Sequence, residues 1–119
     1  MPRSNNSFVG KWRIVEMEVW DREYIDLVVP GHITFDRDLD GSFQFGTVRG
    51  WLDCRIEQIG KDERIEFSWE GFNDTDQGCG RGWALIRGDE LHGRLYIHAG
   101  DDSSFRAQRA PASSRKRAA

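Results

Sequence analysis

Apolar and polar residues alternate along much of this chain with a period of two, the spacing that places one set of side chains on one face of a β-strand. Residues 64–70, Arg64-Ile65-Glu66-Phe67-Ser68-Trp69-Glu70, carry apolar groups at every odd position, and residues 52–57 carry theirs at Leu52, Cys54 and Ile56. The Gly60-Lys61-Asp62-Glu63 stretch between them predicts a hairpin, so the two strands are expected to be antiparallel neighbours. The same pattern predicts strands over 31–35, 42–49, 82–87, 91–99 and 104–109. Asp40-Gly41, Gly88-Asp89 and Gly100-Asp101-Asp102 supply turn residues, because they tolerate positive φ or bond their own backbone. In the first strand, 8–20, Trp12 and Ile14 share one parity while Val15, Met17 and Val19 share the other, which predicts a bulge near Ile14-Val15. Asp21 is then placed to cap a short helical turn through Ile25, with Trp20 and Ile25 as a hydrophobic staple and Pro30-Gly31 ending it.

Eight strands joined mostly by tight turns predict an all-β fold, a small up-and-down antiparallel β-barrel, since closure removes exposed edges. A β-sandwich is the structural alternative. A length of 119 residues fits a single domain with its own core. Its expected extent is 8–109, between a flexible N-terminus, 1–7, and a disordered basic tail, 110–119. Five Trp, seven Phe and two Tyr supply large flat side chains, which fill sheets and barrels better than helical seams.

Residues 1–109 hold 14 bases against 20 acids, the opposite of the balance expected for a nucleic-acid binder. The polar start has no apolar stretch of secretory kind, and no apolar run approaches the roughly 20 residues of a spanning helix. A cytoplasmic protein without a membrane partner is therefore expected, with Cys54 and Cys79 as free thiols.

The opening Phe8-Val9-Gly10-Lys11-Trp12-Arg13-Ile14-Val15, followed by a short helical turn, resembles the first strand of the lipocalin and fatty-acid-binding barrels, which carry Gly-x-Trp there. The resemblance implies a calycin-like barrel with Trp12 closing one end beneath an Arg of the last strand, Arg106 or Arg109. Fatty-acid-binding barrels also hold a carboxylate with Arg-x-Tyr on the final strand. Here the residues are Arg106-Ala107-Gln108, so lipid binding is not implied. Residues 67–71 (FSWEG), 79–84 (CGRGWA) and 95–105 (LYIHAGDDSSF) resemble a family of short uncharacterised bacterial proteins, a likeness that implies domain boundaries but no chemistry.

Candidate chemistry is sparse. Asp36, Asp38 and Asp40 with Gly41 match the opening of a calcium loop, but its twelfth position is Thr47 rather than a bidentate Glu, and an acidic turn fits equally well. Residues 70–82, EGFNDTDQGCGRG, read as the longest loop and the best place for a site. Trp69 and Trp83 flank it, and Asp74, Asp76 and Arg81 offer acceptors and donors for a small polar ligand at a barrel mouth. Cys79, between two glycines, lacks a base nearby in sequence; His32, His92 or His98 supplies one only if folding brings it close. Gly78-x-Gly80-x-Gly82 precedes a strand rather than the helix a phosphate cradle needs. Arg87-Gly88-Asp89 reads as a turn.

No catalytic residues, metal ligands or cofactor follow from these patterns. Two functions remain: a non-catalytic barrel binding a small molecule, and a protein-interaction module or homodimer. In the strand His92-Gly93-Arg94-Leu95-Tyr96-Ile97-His98 the even positions form a polar stripe. Burying an unpaired Arg94 costs several kcal/mol, whereas turning Leu95 and Ile97 inward gains about 1.5–3 kcal/mol each, so the stripe is expected to face solvent.

Overall fold

The computed structural model describes residues 7–111. The chain forms β1 (Gly10–Met17), a one-turn helix α1 (Arg22–Ile25), then β2 (His32–Phe35), β3 (Asp40–Phe45), β4 (Val48–Ile59), β5 (Asp62–Asn73), β6 (Asp76–Arg87), β7 (Glu90–Ile97) and β8 (Asp102–Arg109). Each strand pairs antiparallel with its sequence neighbours, and β1 pairs with β8, so the sheet closes into an eight-stranded up-and-down barrel. The tail residues 112–119 and residues 1–6 lie outside the described part.

Local sequence accounts for most junctions. Asp21 caps α1, its Oδ1 accepting from the Tyr24 N–H at 3.0 Å. Trp20 finds its ring partners in Tyr24 and Phe45, at 6.2 and 4.8 Å, and Ile25 is buried in the core. The β1–β8 register shifts between Ile14 and Glu16, the bulge that the change of parity predicts.

Three predicted boundaries are corrected. The span 42–49 is the end of β3, a Gly46-Thr47 turn with Gly46 at φ 59, and the start of β4. Asp40-Gly41 already belongs to β3; the preceding turn is made within 36–39, where Asp36 N–H donates to the Asp40 carbonyl at 2.8 Å and Leu39 adopts φ 69. Residues 70–82 are not a long loop. They continue β5 to Asn73, turn at Asp74-Thr75 and run straight into β6.

The glycines of that segment serve the core. Phe43 pairs across strands with Gly50, Phe67 with Gly82, Trp69 with Gly80 and Phe105 with Gly93. A Cβ on Gly50, Gly82 or Gly93 would stand 2.5–2.8 Å from an inward ring, so the rings occupy the space a wall side chain would take. Trp12, Phe35, Phe43, Phe45, Phe67 and Trp69 are each at most 3% exposed. Side chains fill the barrel interior.

Candidate functional site

At one end, Trp12 donates its Nε1–H to the Phe8 carbonyl at 2.9 Å, and the Arg109 guanidinium lies 3.9 Å from the Trp12 ring centroid. Arg109 also donates to the Ser7 and Val9 carbonyls at 2.6 and 2.7 Å. Burial lowers its pKa from the ordinary value. Gly10 leaves room for this arrangement: its φ is 125, and a Cβ there would sit 2.7 Å from Arg109 Nη1. Arg109, not Arg106, is therefore the cation over Trp12. Arg106 lies on the outer wall, bound to Glu16 and Glu90 at 2.9 Å each.

The predicted ligand set does not converge at a barrel mouth. Trp69 points inward and its Nε1–H donates to the Tyr96 carbonyl at 3.2 Å. Asp74 and Asp76 are exposed at the β5–β6 turn. Five residues of extended strand, roughly 17 Å, separate Asp76 from Arg81. Arg81 and Trp83 do share a surface, the outer face of β6, two positions apart.

Strand register adds the residues that sequence spacing does not join to them. Ser68, Arg81 and Tyr96 form one row across β5, β6 and β7; Glu66, Trp83 and Arg94 form the next. The His98 N–H donates to the Cys79 carbonyl at 2.8 Å, which extends this pairing past β7. Arg81, Trp83, Tyr96 and His98, with Arg64 and Glu66 from β5, line an outer-wall depression of about 530 Å³. The Arg64 guanidinium stands 5.5 Å over the Trp83 ring and 3.6 Å from Glu57. A hydrogen bond in which the protonated Glu66 carboxyl donates to Glu57, with burial and the Glu57 charge behind it, raises the Glu66 pKa against the pull of Arg64 and Arg55.

Ion pairing divides the outer wall. On β7, β8 and the adjoining end of β1 the wall is ion-paired, although Lys11 at the start of β1 has no ion pair among the described residues: Arg94 binds Asp102 and Glu18 at 2.5 and 3.3 Å, and His92 and Gln108 join Arg106 on Glu90. The side chains of His92, Arg94, Tyr96 and His98 lie on the outer side; of the two inward residues the energetic comparison names, Leu95 is buried and Ile97 is half-buried against the core. On β4–β6, by contrast, Arg49, Arg55 and Arg81 have no ion pair among the described residues. The Tyr96 hydroxyl and the His98 ring likewise make no hydrogen bond there.

A second cluster lies on β4 and β5. Trp51 is 54% exposed, its ring meets Phe72 edge to face at 6.5 Å, and the Arg49 guanidinium lies 5.9 and 5.4 Å from the two ring centroids. The signal for it is the change of parity from Phe43 and Phe45 to Val48, Gly50 and Leu52, which turns Arg49 and Trp51 outward.

The remaining candidates carry less chemistry. Among the described residues no three acidic, His or Cys groups are placed to share a metal ion, and Asp36 and Asp40 instead close the turn into β3. Cys54 points into the core, where burial, then the charges of Asp53, Asp40 and Asp36, push its thiol up to about 12. Cys79 is exposed on the outer wall beside His98, and no hydrogen bond joins its sulfur to that ring. No family model matches the chain, and no curated protein or solved structure matches it either.

Proposed function

We propose that this protein is a non-catalytic binding module that holds a small, ring-bearing organic anion on its outer wall, between β5, β6 and β7. The observation that carries this reading is the Arg81 guanidinium, without an ion pair among the described residues, on the same strand face as Trp83 in the 530 Å³ depression. A planar guanidinium matches a carboxylate or phosphate with two parallel hydrogen bonds, and charge-assisted bonds of this kind are the strong ones. Tyr96 and His98 add donors, and the part of the half-buried Trp83 ring that Arg64 does not cover adds apolar surface for the body of the ligand. Glu66 can accept from a ligand hydroxyl. An enclosed ligand is disfavoured because aromatic rings already occupy the interior. Among the described residues, catalysis has no support in an acid, base and nucleophile within reach of one another.

Benzoate and phenyl phosphate are suitable probes, followed by chemical shifts of the indole and arginine side-chain N–H groups. A fragment of this size is expected to bind with a Kd on the order of 1 mM. Benzamide keeps the ring without the charge, and acetate keeps the charge without the ring; each should bind about tenfold more weakly. Arg81→Gln should abolish the response to both probes. Shifts scattered away from Trp83 and Arg81, or an equal response to benzamide, would sink the reading.

A further inference from the structure

We infer that a second copy of this chain docks on the outer face of β4 and β5, through Arg49, Trp51, Glu70 and Phe72, to form a two-fold symmetric dimer. This surface shares none of its four residues with the proposed ligand site, so either can fail alone.

The patch is built by register. Arg49 faces Phe72 and Trp51 faces Glu70 directly across the β4–β5 ladder, which puts the four side chains at adjacent outward positions. Two of them are the rings already described, and Trp51 is half open to solvent. Exposed Trp and Arg are the side chains that concentrate binding energy at interfaces, and nothing on the described chain covers them. Beside them lies a depression of about 400 Å³ that also involves Gln77 and Cys79.

Charge selects the occupant. Arg49 and Glu70 are diagonal neighbours of opposite sign, both exposed, and neither has an ion-pair partner among the described residues. A face that carries one free cation and one free anion beside a pair of rings is complementary to itself under a two-fold axis. Arg49 of each copy then meets Glu70 of the other, and the ring pairs pack at the centre. An isologous contact needs this self-complementarity. The ion-paired wall of β7, β8 and β1 offers no such free pair.

Sedimentation equilibrium between about 1 µM and about 500 µM, a range that brackets weak association, should show the mass doubling. Arg49→Glu alone and Glu70→Arg alone each place like charges at both contacts and should be monomeric across the range. Mixed in equal amounts, the two variants should associate again, because each then offers the charge the other lacks. The substitutions are on exposed side chains, and unchanged far-ultraviolet dichroism will verify the fold. Cys79 sits directly opposite Glu70, so its labelling by a thiol reagent should slow as concentration rises in the native protein and in the mixture, but not in either variant alone. A monomer at every concentration overturns the inference, and so does a dimer that both charge reversals leave intact.

Discussion

Replacing Gly50 by Ala adds one methyl group to the barrel wall, and the surroundings leave no room for it. The new Cβ would lie 2.7 Å from Trp69 Cε3 and 2.8 Å from Phe43 Cε2, where ordinary contact begins at 3.4 Å. Both rings would have to retreat by more than half an ångström. Neither is free to do so: each is 3% exposed, they pack edge to face at 5.0 Å, and Trp69 is tethered through its Nε1–H to the Tyr96 carbonyl. Overpacking of this kind costs about 1–3 kcal/mol, a fall of roughly 4–12 °C in melting temperature for a domain of this size. Gly78→Ala is the matched control, because its Cβ would meet the same indole at 3.6 Å, an ordinary van der Waals distance. That substitution should be neutral, or stabilising by about 0.5 kcal/mol through the unfolded chain. Urea denaturation followed by tryptophan fluorescence measures both. Adding Phe43→Leu to Gly50→Ala should recover about 1 kcal/mol relative to the sum of the single changes. Equal stabilities for the two alanine variants, or strict additivity with Phe43→Leu, would refute the idea that inward rings fill the space above the glycines.

Two further outcomes test the electrostatics. His32 has its pKa lowered by burial and then by the Lys11 charge, and its buried Nδ1 has no hydrogen-bond partner among the described residues. The unfolded chain therefore binds a proton first as pH falls below about 6.5, and stability should decline from there down to the native pKa; thermal melts of His32→Gln should show a shallower decline. Arg106 ties Glu16 of β1 to Glu90 of β7 across β8, so Arg106→Gln should lower the melting temperature in dilute buffer, and the difference from the native protein should shrink in molar salt.

The sequence carries the barrel more fully than it carries the site. Alternation at 64–70 places Ile65, Phe67 and Trp69 inward without ambiguity, and the parity change at Ile14-Val15 marks a real bulge. The Gly46-Thr47 turn is harder to see, because apolar alternation runs up to it and resumes at once on the other parity. Gly78, Gly80 and Gly82 look like loop residues when read alone. For Gly80 and Gly82 the reason lies across the ladder, in Trp69 and Phe67, which linear spacing does not reveal. The same holds for the outer wall: Arg81 and Trp83 are two residues apart in sequence, but only the β6–β7 register brings Tyr96 opposite Arg81. Nor does composition show that Arg94 is already held by Asp102 and Glu18 while Arg81 has no ion pair among the described residues.

The seam between β1 and β8 joins the two ends of the sheet with no connection at all to set its alignment. The ladders from β2 to β8 inherit their register from short turns and β1–β2 is linked through residues 18–31 and α1, whereas Glu16 and Arg106 meet from ninety residues apart. A slip of two residues along this seam would keep inward groups inward and outward groups outward, so hydrophobic burial alone discriminates poorly against it. The bulge at Val15, the Arg106 contact to Glu16, and the seat of Arg109 over Trp12 would all be lost together in the slipped form. These side chains act as a proofreading device for closure, rejecting the wrong ring rather than merely strengthening the right one.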